Sequence, residues 1–406
     1  MTNWKEYKLS DFMEINPKVQ LKSGQSYSFV EMKDLADGQK FVLPEQEREL
    51  KGGSRFENGD TLFARITPCL ENGKICQVKE LKNGKGYGST EFLVFRGKHG
   101  ISDTDFVFYL SRYDEVRRFA EQNMVGTSGR QRVSWQAFEN LSLSLPDMPT
   151  QTAIAEILSS LDDKIELNNK INQELENLAQ TLFKEWFIDF EFPDENGNSY
   201  KSSGGKMVDS ELGEIPKGWE VKTLKDEFIL NMGQSPKGDT YNEVGEGIVF
   251  FQGRSDFGFR FPSIRMYTSD PKKIAKKFET LISVRAPVGD INMAETDCCI
   301  GRGLGSIAHP KNYFSYTYYK TLSIQGELKS YDNEGTVFGS INKETLGNIK
   351  SIIPPINLIQ KFNSLIEDKD SLIYNVSCEN QELTVLRDTL LPKLISGVLE
   401  IKNVNV

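Results

Sequence analysis

Histidine is almost absent from this sequence: His99 and His309 are the only two in 406 residues. Each sits beside a glycine or a proline, so a loop position at the surface is expected for both, and histidine-based catalysis has little to draw on. The five cysteines, Cys69, Cys76, Cys298, Cys299 and Cys378, form no CxxC pair and leave an odd count. That argues against a zinc site and for a reducing compartment. No apolar run is long enough to span a membrane, and the opening "MTNWKEYKLSDF" lacks the apolar stretch of a signal peptide. A cytoplasmic protein without membrane contact is expected.

Catalytic signatures are missing as well. There is no HExxH, GxxxxGK[ST] or GxSxG, and no tetrapeptide of the NPPY type that an N6-adenine methyltransferase needs. "GRGLGS" (301–306) contains GxGxG but lacks the strand, helix and distant acid of a dinucleotide site, so it reads as turn chemistry. No catalytic residue, metal site or cofactor of its own is expected.

What is present suits a chain of two or three domains, with 38% hydrophobic and 26% charged residues. The net charge of −9 is unevenly spread: residues 1–149 are neutral, 150–197 carry −8, and 198–354 carry +1. Two near-neutral parts flank an acidic middle, and a neutral domain can still present one basic face, so charge neither excludes DNA nor announces it.

The chain repeats itself. Trp4, Leu9 and Asp11 recur as Trp219, Leu224 and Asp226, "TLFARITP" (61–68) as "TLISVRAP" (280–287), and "NLSLSLPDMPTQ" (140–151) as "NIKSIIPPINLIQ" (348–360). From about residue 106 onward the shift is near 208. Each half runs through several β-type segments, a helix near 104–122 or 311–330, a Gly-Thr loop ("GTSGRQR", 126–132, or "GTVFGS", 335–340), a strand, a proline and a long helix. The expected fold is α+β: two similar mixed α/β domains separated by a pair of long antiparallel coiled-coil helices. The expected boundaries are a first domain at 1–149, a central helix at 150–192, a linker at 193–209, a second domain at 210–355 and a C-terminal helix at 356–406.

Both long helices carry seven-residue spacing. Ile154, Leu161, Asn168, Leu175 and Leu182 mark the first; Leu358, Leu365, Leu372 and Leu386 mark the second. Apolar residues flank the first line on both sides, Ile157, Ile171 and Leu178 on one of them, which is wider than a two-helix seam needs and points to a further partner. The plain alternative is that all of this is ordinary core. Asn168, polar within the stripe, either fixes register or merely faces a groove.

"GTSGRQR" is the best single loop for nucleic acid. Its glycines allow close approach, Thr127 and Ser128 offer hydroxyls, and Arg130 and Arg132 suit phosphate or guanine; a solvated basic turn is the alternative. Two domains on rigid helices suit a bipartite ligand such as DNA. A duplicated protein-binding scaffold would explain the repeat and the coiled coil but not these loops, and a methyltransferase fused to its own reader would need the motifs that are missing.

The pieces "GTSGRQRVSW", "LPDMPTQTAIAEILSSLDDKIELNNKINQELENLAQTLFKEWFIDFEFP" and "GEIPKGWE" resemble the conserved regions of type I restriction-modification specificity subunits. "GQSPKGDTYN", "FFQG", "LISVRAPVGDIN" and "IGRGLGSIA" resemble one class of target-recognition domain in that family, and "GSTEFLVFR" another. The resemblance implies a non-catalytic subunit whose two domains each read half of a bipartite site on double-stranded DNA. Its helices would space the halves and dock adenine methyltransferase subunits, two in number, that bring S-adenosylmethionine; restriction subunits would bring ATP-driven translocation and cleavage. Candidate DNA contacts are Arg65, Lys74, Thr127, Ser128, Arg130 and Arg132 in the first half, and Gln234, Lys237, Arg254, Arg285 and Arg302 in the second. Candidate partner contacts are Ile157, Ile171, Leu178, Trp186, Phe187 and Phe190.

Overall fold

Strand Lys5–Lys8 pairs antiparallel with Ser142–Leu145, and strand Glu220–Thr223 pairs in the same way with Lys350–Ile353. A one-turn helix follows each first strand, Leu9–Phe12 and Leu224–Glu227. The amide of Leu9 donates to Leu141 O at 2.9 Å, and that of Leu224 to Ile349 O at 3.0 Å. The repeated Trp–Leu–Asp signature thus folds twice into one motif. The computed structural model describes residues 4–127, 129–331 and 339–401. They divide into two compact units, one of residues up to 169 and from 378 onward, the other of residues 170–377.

In the first unit a five-stranded sheet has the order Met13–Ile15, Phe92–Gly97, Thr61–Ala64, Ile75–Val78, Phe41–Val42. A four-stranded sheet has the order Gln46–Glu49, Ser26–Val30, Lys85–Gly88, Ser54–Glu57. The central strands read as unbroken apolar runs because both of their faces are covered. Side chains alternate across a strand, so Phe63, Leu93 and Phe95 face a core shared with helix Thr104–Arg112, while Leu62, Phe92 and Val94 face a second core with Val30 and Phe56.

The second unit repeats the plan. Ile229–Met232, Leu304–Ala308, Thr280–Ser283 and Ile291–Met293 form a four-stranded sheet. Ile282 and Ile307 enter the core with helix Phe314–Ser323, whereas Leu281 and Leu304 join a second core with Val249, Phe251 and Cys298 from a five-stranded sheet.

The central helix runs over Met148–Phe187 and the C-terminal helix over Ile356–Ile395, 40 residues each, or roughly 60 Å at 1.5 Å per residue. Asp147 follows Pro146 and caps the first of them, its Oδ1 accepting from the Thr150 amide at 3.2 Å. Within each unit the two helices are antiparallel. In the first, Asn168 meets Asn380, Asp162 meets Arg387, and Ile154 and Leu158 share a core with Leu391 and Leu394. In the second, Asn172 meets Ser377, and the rings of Phe183 and Trp186 lie 5.6 and 5.9 Å from that of Phe362. Among the described residues, no helix is long and apolar enough to cross a membrane.

Two expectations change. The seam of the C-terminal helix is carried by the isoleucine line Ile359, Ile366 and Ile373 together with the expected Leu358, Phe362 and Val376, all buried; Leu365, Leu372 and Leu386 of the expected leucine line are instead 43–46% exposed. Both lines repeat at seven and lie one residue apart, about 100° around the helix, so spacing alone could not choose between them. The expected linker 193–209 is also folded. Phe192 stacks on Tyr200 at 4.6 Å and on Trp219 at 5.3 Å, and Met207–Ser210 forms a hairpin with Gly213–Pro216, which joins the segment to the second unit.

Candidate nucleic-acid interface

The same loop arrangement closes one edge of both sheets. In the first unit the strand Thr61–Ala64 runs on into Arg65-Ile66-Thr67-Pro68, and the Gly-Thr loop lies along it. Val133 N donates to Arg65 O at 2.9 Å and Thr67 N to Gln131 O at 3.1 Å, with a bridge between Ile66 and Arg132. In the second unit Ile341 N donates to Val284 O at 3.0 Å and Ala286 N to Gly339 O at 3.0 Å, with a bridge between Arg285 and Ser340. Thr67-Pro68 and Ala286-Pro287 are both cis. The pairs therefore correspond one for one.

Beside this edge in the first unit lies a cleft of about 920 Å³ lined by Lys18, Lys22, Arg55, Arg65 and Lys85 together with Asn16, Ser54 and Thr90, and by no carboxylate. Lys85 is paired with Glu57 at 3.4 Å, and an Arg55 nitrogen lies 3.5 Å from Val19 O. Among the described residues Lys18, Lys22 and Arg65 have no acidic partner, and the buried Arg65 Nε–H has no hydrogen-bond partner. A concave, cation-lined wall of this kind attracts a polyanion and leaves side chains free to reach base edges.

Of the first-half candidates, Arg65 belongs to this cleft, and Thr127 and Arg130 are exposed on the adjoining loop. Ser128 lies outside the described residues. Arg132 is engaged: its Nε and Nη2 hold both oxygens of Glu91 at 2.7–2.9 Å, and that bond raises the guanidinium pKa further. It therefore anchors the loop to Glu91, the residue just before strand Phe92–Gly97. Lys74 donates to Met32 O at 2.8 Å and does not line the cleft. Lys18, Lys22, Arg55 and Lys85 were not singled out from the sequence. They are scattered over some 70 positions, and only the sheet topology gathers them.

In the second unit four segments interlock through main-chain bonds. Gly233 N donates to Leu304 O at 2.9 Å and Gln234 N to Ile300 O at 2.9 Å; Val284 N donates to Gly303 O at 2.9 Å; Gly303 N donates to Gln252 O at 3.3 Å. Ser235 Oγ accepts from Arg302 N at 3.2 Å and from Gln252 Nε2 at 3.1 Å. A Cβ at Gly233 would stand 2.1 Å from Gly301 O, so only glycine permits this approach. Gln234, Arg285 and Arg302 are thereby brought onto connected loops with exposed side chains, and Gln252, missed in the sequence, joins them. Arg254 is tied to Asp290, and Lys237 is exposed on the neighbouring turn.

The candidate partner contacts divide. Trp186, Phe187 and Phe190 are buried in the core of the second unit: Phe187 lies 5.3 Å from Tyr316, and Phe190, turned inward on a left-handed backbone (φ 62°), lies 5.4 Å from Trp219. They hold a domain together and are not available as an outward anchor. Ile157 packs half-buried on the first core, Ile171 is half-buried, and Leu178 is 52% exposed.

Residues 1–177 and 216–371 both match the family model described as type I restriction modification DNA specificity domain. The putative type I restriction enzyme MjaX specificity subunit of Methanocaldococcus jannaschii is 31% identical over 350 residues, which cover 85% of this chain and 79% of the relative. The type I restriction enzyme HindI specificity subunit of Haemophilus influenzae is 26% identical, over 98% of this chain and 100% of its own length. The type I restriction-modification system S subunit from M. genitalium shares the fold, with a TM-score of 0.54 at 16% identity, over 99% of this chain and 97% of the other. With two matching domains covering most of its length, the chain belongs to the type I restriction-modification DNA specificity family.

Proposed function

We infer that this chain is the non-catalytic subunit that selects the DNA sequence for a type I restriction-modification complex. Each unit reads one half of a bipartite target on double-stranded DNA. The observation that carries this reading is the duplicated edge, where the same two loops pair through their main chains and present basic and polar side chains. A scaffold that binds protein alone leaves the cleft of five cations without a use.

The helices supply the second role. In the second unit Leu178, Leu365 and Leu372 remain 43–52% exposed on the two long helices, and they suit an apolar contact with adenine methyltransferase subunits, two per chain. Those partners bring S-adenosylmethionine, restriction subunits bring ATP-driven cleavage, and the assembly works in the cytoplasm. The test is binding of the assembled complex to duplexes randomised in one half-site at a time. Substitution of Arg130 should change preference in one half-site only, and Arg285 or Arg302 in the other. Equal change in both halves would overturn the account of two independent readers.

A further inference from the structure

Asp162 and Asp370 are 208 residues apart, the shift that relates the two halves of the chain, and both are buried, each 4% exposed. Asp162 lies on the central helix. Its Oδ2 accepts from Tyr109 Oη at 2.6 Å and its Oδ1 from Arg387 Nη1 at 2.6 Å. Arg387, on the C-terminal helix and 1% exposed, also donates to Gly38 O at 2.7 Å. Tyr109 and Gly38 belong to the first recognition domain. One carboxylate therefore joins a domain to both helices.

Asp370 makes the corresponding junction in the second unit, on the other helix. It accepts from Tyr319 Oη at 3.1 Å and pairs with Arg260 at 3.1 Å. Arg260 also holds Glu176 of the central helix and lies 3.9 Å from the Tyr318 ring centroid. Here the arginine, again 1% exposed, comes from the domain. The position matching Arg387 under the 208-residue shift is Ala179, whose small side chain is fully buried. The duplicated halves have thus kept the carboxylate, while the tyrosine comes from a different position of the corresponding helix, Thr317 being the match of Tyr109, and the arginine comes from a different element.

Stability alone does not explain this. Buried ion pairs roughly break even against apolar packing, because desolvation cancels the attraction. What they add is direction: a carboxylate holding a phenol and a guanidinium accepts few angles, whereas apolar surfaces slide. We propose that Asp162 and Asp370 are positioning residues that fix the angle of each recognition domain on the helix pair and thereby determine the gap length of the DNA accepted. This rests on the bipartite reading given above.

The experiment uses the full chain assembled with its methyltransferase subunits. The variants are Asp162→Asn, Asp370→Asn and the milder Tyr109→Phe and Tyr319→Phe. Binding is measured to duplexes carrying both preferred half-sites at the natural gap and at gaps one base pair shorter and longer. The ratio of natural-gap to altered-gap affinity should fall by roughly 3- to 30-fold, the range that changes in a packed network produce, while base preference within each half-site stays as it was. If all three duplexes weaken alike and the ratio holds, the residues are merely structural and the proposal is wrong. Should an Asn variant fail to assemble, the Phe variant at the same junction decides by the same ratio. A wild-type complex without half-site preference would instead sink the bipartite reading, which keeps the two failures distinct.

Discussion

Asn168 of the central helix donates its amide to the Glu379 carboxylate of the C-terminal helix at 2.8 Å, from a position with no accessible surface. A second bond runs to Asn380 at 2.9 Å, while Asn168 Oδ1 has no partner among the described residues. Glu379 is 44% exposed and also holds Lys164, so water can replace the lost donor there. The orphan carbonyl outweighs that loss, since an unpaired buried acceptor costs about 1–3 kcal/mol. Asn168→Leu should therefore raise the thermal midpoint by about 2–4 °C per kcal/mol regained while loosening the helix register. Calorimetry of the variant checks this; a lower midpoint would show that the two donated bonds matter more than the orphan.

The cleft of the first unit separates two kinds of contact. Lys18 and Lys22 stand on a segment outside the strands and helices, without acidic partners among the described residues, and suit phosphate. Replacing both with Ala should weaken all sequences alike and reduce the salt slope by roughly 0.9 per lysine. Arg65→Ala should cost about 1–3 kcal/mol and relax one position of the first half-site only. Titrations at several salt concentrations distinguish these outcomes. Because Arg132 is engaged by Glu91, Glu91→Ala should reproduce the effect of Arg132→Ala; a variant pair that differs would show Arg132 touching DNA directly.

The aromatic end of the central helix and the exposed leucines should behave in opposite ways. Trp186→Ala opens a cavity among Phe187, Phe362 and their neighbours and should cost the second unit about 3–5 kcal/mol. Leu365→Ser and Leu372→Ser should stay within about 0.5 kcal/mol of wild type yet reduce co-purification of the methyltransferase. Stable leucine variants that still assemble fully would remove these residues from the docking surface.

His309 gives the second unit a pH dependence. Burial holds its imidazole below the ordinary histidine range, with Lys311 adding to the effect, and its Nδ1 accepts from the Lys311 amide at 3.1 Å, a bond that needs the neutral ring. A depressed folded-state pKa means stability that is complete above the unfolded value near 6.5 and is lost as pH falls through the folded one. Urea midpoints of the chain should fall as pH drops below the unfolded value near 6.5, and His309→Gln should flatten that part of the curve. An unchanged slope in the variant would assign the pH dependence elsewhere.

The repeat, the two domains and the antiparallel helices were legible because they are carried by order and spacing along the chain. The helix seam was not: the leucine and isoleucine lines have the same period, and only packing against Phe183 and Trp186 selects between them. Trp186, Phe187 and Phe190 resembled anchors because an aromatic helix end looks the same whether a domain of the same chain or another protein covers it. Charge alone marks Arg132 and Lys74 as candidates, and charge does not reveal that Glu91 and the Met32 carbonyl already hold them. His309 was expected at the surface from its proline neighbour, yet it packs on Tyr313 and Phe228.

The loops proposed to read DNA are held in place mainly by their own peptide groups, with the Arg132–Glu91 pair as a side-chain anchor in the first unit. Val133 to Arg65, Thr67 to Gln131, Ile341 to Val284 and Ala286 to Gly339 are bonds between main-chain atoms, to which side-chain identity is nearly irrelevant. Drift at Arg65, Arg130 or Arg285 therefore leaves the loop geometry in place, so that, on the proposed function, one target sequence could be exchanged for another by single substitutions without passing through an unfolded intermediate. On that reading the scaffold would constrain where a base is met and leave open which base it is.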